Sequence, residues 1–349
     1  MRAMVLCAGL GTRLRPLTLR WPKPAIPLLG APLLRYHLAL LKAAGIREVG
    51  VNTFHLPEVM EAVAARECAR AGMRLEVSRE VGEIQGTGGG IRGLGRFLRE
   101  SDPFVVVNGD ILFAVDLPEV IAAHRASGAS ATMALLPMPE GERFAAVECA
   151  PDLSVRRIAG RGPGAGPGER LAPWHFSGVH VMSPAVLDCM AASGPEDINR
   201  QVYPRMLERG LRVHGAVVRA YWSDLGTPSR YLAAQRDLLF GQVPVERFGE
   251  ASPFAGARQA GNAWMRAGAR VEGRVAGPAL FDEGCAVAKG AAVGSAVYVG
   301  PRAEVAEGAR LNRAAVLEDT RVAEGEELVE AIAWGAERIS APLTPRGSG

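Results

Sequence analysis

Between residues 2 and 240, short apolar runs alternate with longer segments whose apolar residues recur three or four positions apart. The first kind predicts strands and the second amphipathic helices, and their alternation predicts βα units on a largely parallel sheet. "AMVLCA" reads as the first strand, "APLLRYHLALLKAAG" as a helix closed by Gly45, "REVGVNT" as the second strand, and "LPEVMEAVAARECARAG" as a helix ended by Gly72. Strands follow in "MRLEVS" and in "PFVVVNGD", the latter apolar on both faces from Phe104 to Val107 and therefore central. A helix in "LPEVIAAHRASG", strands in "SATMALLP", "FAAVEC" and "PWHFSGVHVM", helices in "PAVLDCMAA" and "INRQVYPRMLERG", the strand segment "LRVHGAVVRAYWSDLG" and a helix in "PSRYLAAQRDLLF" complete one α/β unit. Residues 160–170, "GRGPGAGPGER", break the pattern with five glycines and two prolines, which predicts a mobile surface loop.

A different period begins beyond residue 268. Apolar residues recur every six positions at Val275, Phe281, Val287, Val293, Val299, Val305, Leu311, Leu317 and Ala323, reaching Val329 with no phase slip expected. Four residues after most of them stands a small side chain, as at Ala279, Cys285, Ala291, Val297, Ala303, Ala309 and Ala315. Neither a helix nor an alternating strand keeps a period of six, whereas a triangular parallel β-helix does, with six residues on each side of a coil. The pattern resembles the left-handed hexapeptide-repeat β-helix. The expected organisation is an α/β domain over residues 1–240, an irregular linker over 241–268, the β-helix over 269–335 and a tail over 336–349.

With 349 residues and 48% apolar side chains, the chain has material for two cored domains. The net charge of +3 is too small for a nucleic-acid footprint, so small anionic ligands are the better match. Met1 runs directly into the first strand, and nowhere do about 18 apolar residues follow one another, so a cytoplasmic protein without a membrane partner is expected. The odd number of cysteines (Cys7, Cys68, Cys149, Cys189 and Cys285) lacks the spacing of a zinc or redox site and suits a reducing compartment. Lysine is scarce: Lys23, Lys42 and Lys289 stand alone among 40 basic residues.

One of them closes the segment "CAGLGTRLRPLTLRWPKP", residues 7–24, a glycine-rich cationic loop directly after the first strand. A dinucleotide fingerprint would need a third glycine where Leu14 stands, and a P-loop would need Gly-Lys-Ser/Thr. What remains is still chemistry suited to phosphate, because glycines let backbone N–H groups converge on an anion and Arg13, Arg15 and Lys23 add charge. A basic, solvated turn is the competing reading of these residues alone.

The wider pattern distinguishes the two. "AGLGTRLRPLT" with "PKP", then "GTGGGI" at residues 86–91, "VVVNGD" ending at Asp110, "FSGV" at residues 176–179 and "SDLGTPSRY" around Asp224 occur in the order found in sugar-1-phosphate nucleotidyltransferases. The chain resembles that family over residues 1–240, and its mannose-1-phosphate guanylyltransferase-like members also carry an appended β-helix. The resemblance implies a Rossmann-like mixed sheet and transfer of a nucleotidyl group from a nucleoside triphosphate to a sugar 1-phosphate with release of pyrophosphate. It implies that Arg13 holds the triphosphate, that Lys23 balances charge at the α-phosphoryl group and that Asp110 and Asp224 hold Mg²⁺. It assigns nucleotide contacts to Ala8, Gly9, Gly11, Thr12, Gln85, Thr87, Gly88 and Asn108, and sugar contacts to Gly178 and Asn199. Asn199 reads equally as a helix cap, and Asp116 and Asp197 read as structural.

The resemblance thins on the sugar side. Where many members have Tyr-Gly-Val-Val and then Glu-Lys-Pro, this chain has "RFAAVE" and "RRIAGRGP", with Ala145 for the glycine, no acidic residue and Arg161 for the lysine. GTP with mannose 1-phosphate is the expected substrate pair. The alternatives are uridylyl transfer to N-acetylmuramate 1-phosphate or another hexose 1-phosphate, and a non-catalytic subunit that binds nucleotide sugars. Retention of Arg13, Lys23, Asp110 and Asp224 favours an enzyme. No histidine follows His214, so the β-helix lacks the base of a hexapeptide acyltransferase and is expected to be a structural or oligomerising module, in a protein expected to form a homo-oligomer.

Overall fold

The apolar runs of the first two thirds of the chain assemble into one mixed sheet. In the computed structural model, residues 1–141 and 144–343 are described. The chain divides into two compact units: Met1–Leu10, Arg20–Ala25 and Leu34–Trp222 form the first, and Gly11–Leu19, Ile26–Leu33 and Ser223–Gly349 the second.

In the first unit the sheet runs Val155–Ile158, Ala146–Cys149, Ala172–Met182, Phe104–Asn108, Arg2–Leu6, Glu48–Thr53, Arg74–Arg79. Ala131–Leu136 pairs with Ala172–Met182 and also with Val213–Val217. Arg2–Leu6 is parallel to both of its neighbours, and Val213–Val217 is parallel to Ala131–Leu136. Ala172–Met182 is antiparallel to all three strands that it meets, so the sheet is mixed rather than largely parallel. Phe104, Val105 and Val106 are fully buried, as expected of a strand covered on both faces.

Helices α1 (Leu33–Ala43) and α2 (Pro57–Ala71) form where the apolar spacing predicts them, α3 (Gly86–Gly93) and α4 (Gly95–Arg99) fill the stretch between the third and fourth expected strands, and α5 (Leu117–Ser127) and α6 (Tyr203–Glu208) again fall in expected helical segments. Pro57 opens α2, and Gly72, at φ 67°, closes it while Met73 N–H donates to Cys68 O at 2.9 Å. Asp116 caps α5 by accepting from Glu119 N–H, so its structural reading holds. The segment expected as a helix at "PAVLDCMAA" is a 3₁₀ turn, Pro184–Cys189, and "INRQVYPRMLERG" begins with a π turn, Ile198–Val202, before α6. The core joins the sheet to α3, α4 and α6 through Met4, Phe97, Phe104, Met133, Val202 and Tyr203.

The second unit contains α7 (Pro228–Leu239), capped by Thr227, and a stack of short parallel strands. Ala279–Phe281 pairs in register with Val297–Val299, Val287 with Val305, and Val293 with Leu311. The small residues Ala279, Cys285, Ala291, Val297, Ala303 and Ala309 are buried in its core. The stacking is that of a parallel β-helix, and it begins within residues 241–268, where Ala263–Met265 pairs parallel to Ala279–Phe281. In the segment expected as tail, Glu337–Ser340 pairs antiparallel to Glu327–Trp334, and residues 344–349 lie outside the described ones.

The expected unbroken period of six is corrected by the structure. After Leu311 the inward positions are Val316, Val322 and Leu328, not Leu317, Ala323 and Val329, and Val329 is 45% exposed. The strand Arg310–Val316 contains Arg313 at φ 47°, a left-handed corner, and Leu311 and Val316 stand five apart instead of six. One residue fewer on that side moves every later side chain by one position.

The segment Ile26–Leu33 is built into this unit. Gly30, at φ 80°, approaches the β-helix so closely that a Cβ would stand 2.2 Å from Asp282 Oδ2. The buried Asp282 carboxylate accepts from Tyr298 Oη at 2.8 Å and pairs with Arg266 at 3.1 Å. Gln235 on α7 donates to the carbonyls of Ala296 and Ala314, both at 3.0 Å.

Candidate active site

Parallel strands that end together leave a crevice at their carboxyl ends, and ligands of α/β sheets bind where the strand order reverses. In the first unit the chain passes from Arg2–Leu6 outward to Glu48–Thr53 and Arg74–Arg79, then returns to Phe104–Asn108 on the other side. At that reversal lies a cavity of about 220 Å³, lined among others by Cys7, Ala8, Gly9, Lys23, Asn52, Ile84, Thr87, Asn108 and Asp110.

Its charged pair is Lys23 and Asp110, with Nζ to Oδ2 at 3.0 Å. The Lys23 side chain is 11% exposed and that of Asp110 43%, so a mostly buried ammonium faces the cavity through a half-open carboxylate. Gly109 holds Asp110 against the first strand: its N–H donates to Leu6 O at 3.0 Å, and a Cβ there would stand 2.3 Å from that oxygen. His37 braces the other side, with Nε2 at 2.7 Å from Ile111 O. Burial lowers the His37 pKa to about 4, so the ring is neutral and donates from Nε2.

Asn52 forms the floor. Its Oδ1 accepts from Cys7 N–H at 2.8 Å, and its Nδ2 donates to Glu80 Oε1 at 2.7 Å. Glu80 Oε2 in turn accepts from Gln85 N–H at 2.7 Å, which joins the loop ahead of α3 to the ends of two strands. Gly90 is bare for the same reason, because a Cβ there would stand 2.5 Å from Asn52 Nδ2.

The expected nucleotide residues separate into groups. Ala8, Gly9, Thr87 and Asn108 line the cavity. Gln85 does not line it; its Oε1 accepts from Arg92 at 3.1 Å. Gly88 also stays outside it, with N–H donating to Glu196 O at 2.8 Å, while Thr87 Oγ1 accepts from Ile198 N–H at 2.9 Å. The glycine-rich start of α3 is thus partly capped by the protein itself.

Of the residues expected near the sugar, Gly178 sits at φ 93° where the pairing with Ala131–Leu136 shifts register. A Cβ at Gly178 would lie 3.1 Å from Asn108 Nδ2, so this glycine makes room for a cavity residue. Asn199 is not the cap of its turn; Asp197 is, accepting from Asn199 and Arg200 N–H. The Asn199 Oδ1 is buried without a hydrogen-bond partner among the described residues. His180 packs against Phe176 and Tyr203, with Nδ1 at 2.6 Å from Tyr203 Oη, and burial lowers its pKa to about 3.

Gly11, Thr12, Arg13 and Asp224 belong to the second unit. There Gly11 adopts φ 63°, and its carbonyl accepts from Leu14 N–H and Thr18 Oγ1, both at 2.9 Å. Leu14 and Leu17 are fully buried, which turns the loop's charged residues away from the apolar side. Asp224 Oδ1 accepts from Gly226 N–H at 2.7 Å, and its Oδ2 pairs with Arg230.

The sequence profile of the family described as nucleotidyl transferase matches residues 2–240. This chain belongs to the nucleotidyl transferase family. Among the relatives of this nucleotidyltransferase is the mannose-1-phosphate guanylyltransferase of Mycobacterium tuberculosis, 31% identical over 329 residues, which are 93% of this chain and 81% of that protein. The UTP–glucose-1-phosphate uridylyltransferase of Synechocystis is 28% identical over 348 residues, 96% of this chain and 87% of that one. Among solved structures, HddC from Yersinia pseudotuberculosis shares the fold with a TM-score of 0.55 at 20% identity, over 67% of this chain and 97% of that one. The protein is therefore an enzyme of the nucleotidyltransferase class acting in nucleotide-sugar chemistry, with a mixed α/β domain followed by a parallel β-helix. No helix among the described residues is long and apolar enough to cross a membrane.

Proposed function

We propose that this nucleotidyltransferase makes GDP-mannose from GTP and mannose 1-phosphate. The observation that carries the reaction is the Lys23–Asp110 pair at 3.0 Å, set on the cavity at the strand-order reversal. The sugar-phosphate oxygen is already an anion, so no general base is needed. The oxygen attacks the α-phosphorus in line, the bond from that phosphorus to the β-bridging oxygen breaks, and pyrophosphate leaves with the electron pair. Catalysis of this kind is positioning and charge neutralisation. Lys23 supplies a compact positive charge to the α-phosphoryl group, and Arg13 grips the triphosphate and the departing pyrophosphate.

Enzymes of this family generally use a divalent metal, and we assign Asp110 and Asp224 to hold Mg²⁺. The donors fit: magnesium takes one or two carboxylates and completes its shell with phosphate oxygens and water. Asp110 has one oxygen on Lys23, lines the cavity and keeps a side chain 43% exposed. Bound there, the ion would neutralise phosphate charge.

The guanylyl reading rests on relatives such as the Mycobacterium tuberculosis enzyme, which aligns over 93% of this chain. Uridylyl transfer is favoured by two other observations. The Synechocystis uridylyltransferase aligns over 96% of the chain. A second cavity of about 390 Å³ gathers Ala145, Ala159, Gly160, Arg161 and Arg200, where the expected sugar-contact motifs depart from the family pattern. Arg143, which opens one of those motifs, lies outside the described residues. Pyrophosphate release measured over a grid of nucleoside triphosphates and sugar 1-phosphates tests both readings. Maximal turnover with GTP and mannose 1-phosphate supports the first, and maximal turnover in the UTP row replaces it with the second.

A further inference from the structure

The cavity draws lining residues from two segments far apart in sequence, Cys7, Ala8 and Gly9 after the first strand and Ile84, Gly86 and Thr87 at the entry to α3. Leu6 pairs in register with Asn52, and Asn52 with Ser78, so three parallel strands end side by side beneath them. Cys7 and Glu80 follow the two outer strands directly, and beyond the last rung their polar groups must find other partners. A bridge of side-chain bonds crosses the strand ends. Asn52, 2% exposed, accepts from Cys7 N–H at 2.8 Å and donates to Glu80 Oε1 at 2.7 Å, and Glu80 Oε2 accepts from Gln85 N–H at 2.7 Å. Helix α3 lies on this bridge. A Cβ at Gly90 would stand 2.5 Å from Asn52 Nδ2 and 3.2 Å from Glu80 Oε1, and one at Gly93 would stand 2.7 Å from Ser78 Oγ. Asn52 lines the cavity and Glu80 does not, so Glu80 can act on a ligand only through the residues it holds.

Resting on the reading of this cavity as the nucleotide site, we infer that Glu80 is a positioning residue for the nucleoside triphosphate. It fixes the spacing between the glycine-rich loop, which it holds through Asn52, and the start of α3, which it holds through Gln85 N–H. Both oxygens of one carboxylate are needed, because each meets a donor. An amide at position 80 would turn an N–H group toward one of those donors, and the unmet pair would push its two segments apart. Lys23 and Asp110 are held by other bonds, their own at 3.0 Å and that of Gly109 N–H to Leu6 O. Loss of the bridge therefore weakens the grip on the nucleotide equally in the ground state and the transition state. Such a loss raises KM and leaves kcat in place.

The test uses the full chain with GTP and with UTP, each in saturating Mg²⁺ and without sugar 1-phosphate, and follows by calorimetry whichever binds tighter. For Glu80→Gln the expectation is nucleotide binding weaker by about tenfold, the scale of one lost hydrogen bond. In steady-state assays with the substrate pair that turns over fastest, KM for the nucleotide should rise by a similar factor, while kcat and KM for the sugar 1-phosphate stay within about twofold. The double variant Asn52→Asp with Glu80→Gln exchanges carboxylate and amide but keeps every bond. The carboxylate at position 52 then accepts from Cys7 N–H and from the amide at position 80, whose oxygen accepts from Gln85 N–H. It should return nucleotide affinity to within about twofold of wild type, whereas Asn52→Asp alone, which sets two carboxylates face to face, should bind no better than Glu80→Gln. Unchanged nucleotide affinity in Glu80→Gln, equal losses for both substrates and kcat, or no recovery in the double variant overturns the positioning role and leaves the cavity assignment standing. Wild-type protein that binds neither nucleotide overturns the assignment on which the inference rests.

Discussion

Replacing Gly109 with alanine separates steric placement from backbone conformation, because Gly109 is not among the glycines of positive φ. The added Cβ would stand 2.3 Å from Leu6 O and 2.8 Å from Pro24 Cγ. Carbon–oxygen contacts settle at about 3.3 Å or more, so the two strand ends must part by about 1 Å. The Gly109 N–H to Leu6 O bond, 3.0 Å in the native protein, then stretches past the useful range. Overpacking costs about 1–3 kcal/mol, and a buried unpaired N–H costs about as much again. We expect a loss of stability of about 2–6 kcal/mol from these two effects. Because Asp110 is the next residue and carries the bond to Lys23, a displacement of about 1 Å should also lower kcat on the order of 10². Thermal unfolding and pyrophosphate release on the same preparation measure both. A variant with the native melting temperature and native kcat would refute the placement of Asp110 by close strand packing.

Arg13→Ala should lower kcat by on the order of 10² or more, the scale of removing a preorganised charge-stabilising group, while Asp110→Asn should raise the Mg²⁺ concentration needed for half-maximal rate; native behaviour of both variants contradicts the mechanism. Glu196, whose side chain is fully buried, pairs with Arg205 at 2.8 Å, so Glu196→Ala should destabilise the protein by about 3–5 kcal/mol in denaturant titrations. His37 and His180 have folded pKa values lowered by burial to about 4 and about 3. Below the unfolded value of about 6.5 the unfolded chain takes up protons that the folded chain refuses, so stability should fall as pH drops from 6.5 toward 4, by up to about 1.4 kcal/mol per pH unit per histidine. Equal urea midpoints at pH 7.5 and pH 5 would contradict the neutral, buried state of these rings.

The α/β pattern was legible because Phe104 to Val107 and the amphipathic spacing of α1, α2 and α7 are local signals. The antiparallel Ala172–Met182 strand was not, since nothing in "PWHFSGVHVM" states the direction of its partners. The β-helix period was legible through Leu311 and then failed, because the side from Leu311 to Val316 is one residue short and the kinds of residue that follow do not change. At the site, Lys23 and Asp110 could be named from motifs, but Asn52 could not. Its only signal is a polar residue at the end of the apolar strand Glu48–Thr53, and its bonds to Cys7 and Glu80 depend on segments far away in sequence. Arg230 lies inside the "SDLGTPSRY" motif, yet its bond to Asp224 follows from the turn geometry around Gly226.

We propose for this nucleotidyltransferase the transfer of a guanylyl group to mannose 1-phosphate. Its most direct test is the rate of pyrophosphate release by the purified full chain with Mg²⁺, across ATP, GTP, UTP, CTP and dTTP against mannose, glucose, N-acetylglucosamine and N-acetylmuramate 1-phosphates. GTP with mannose 1-phosphate should give the highest kcat/KM. A maximum in the UTP row, or no pyrophosphate from any pair, would contradict it.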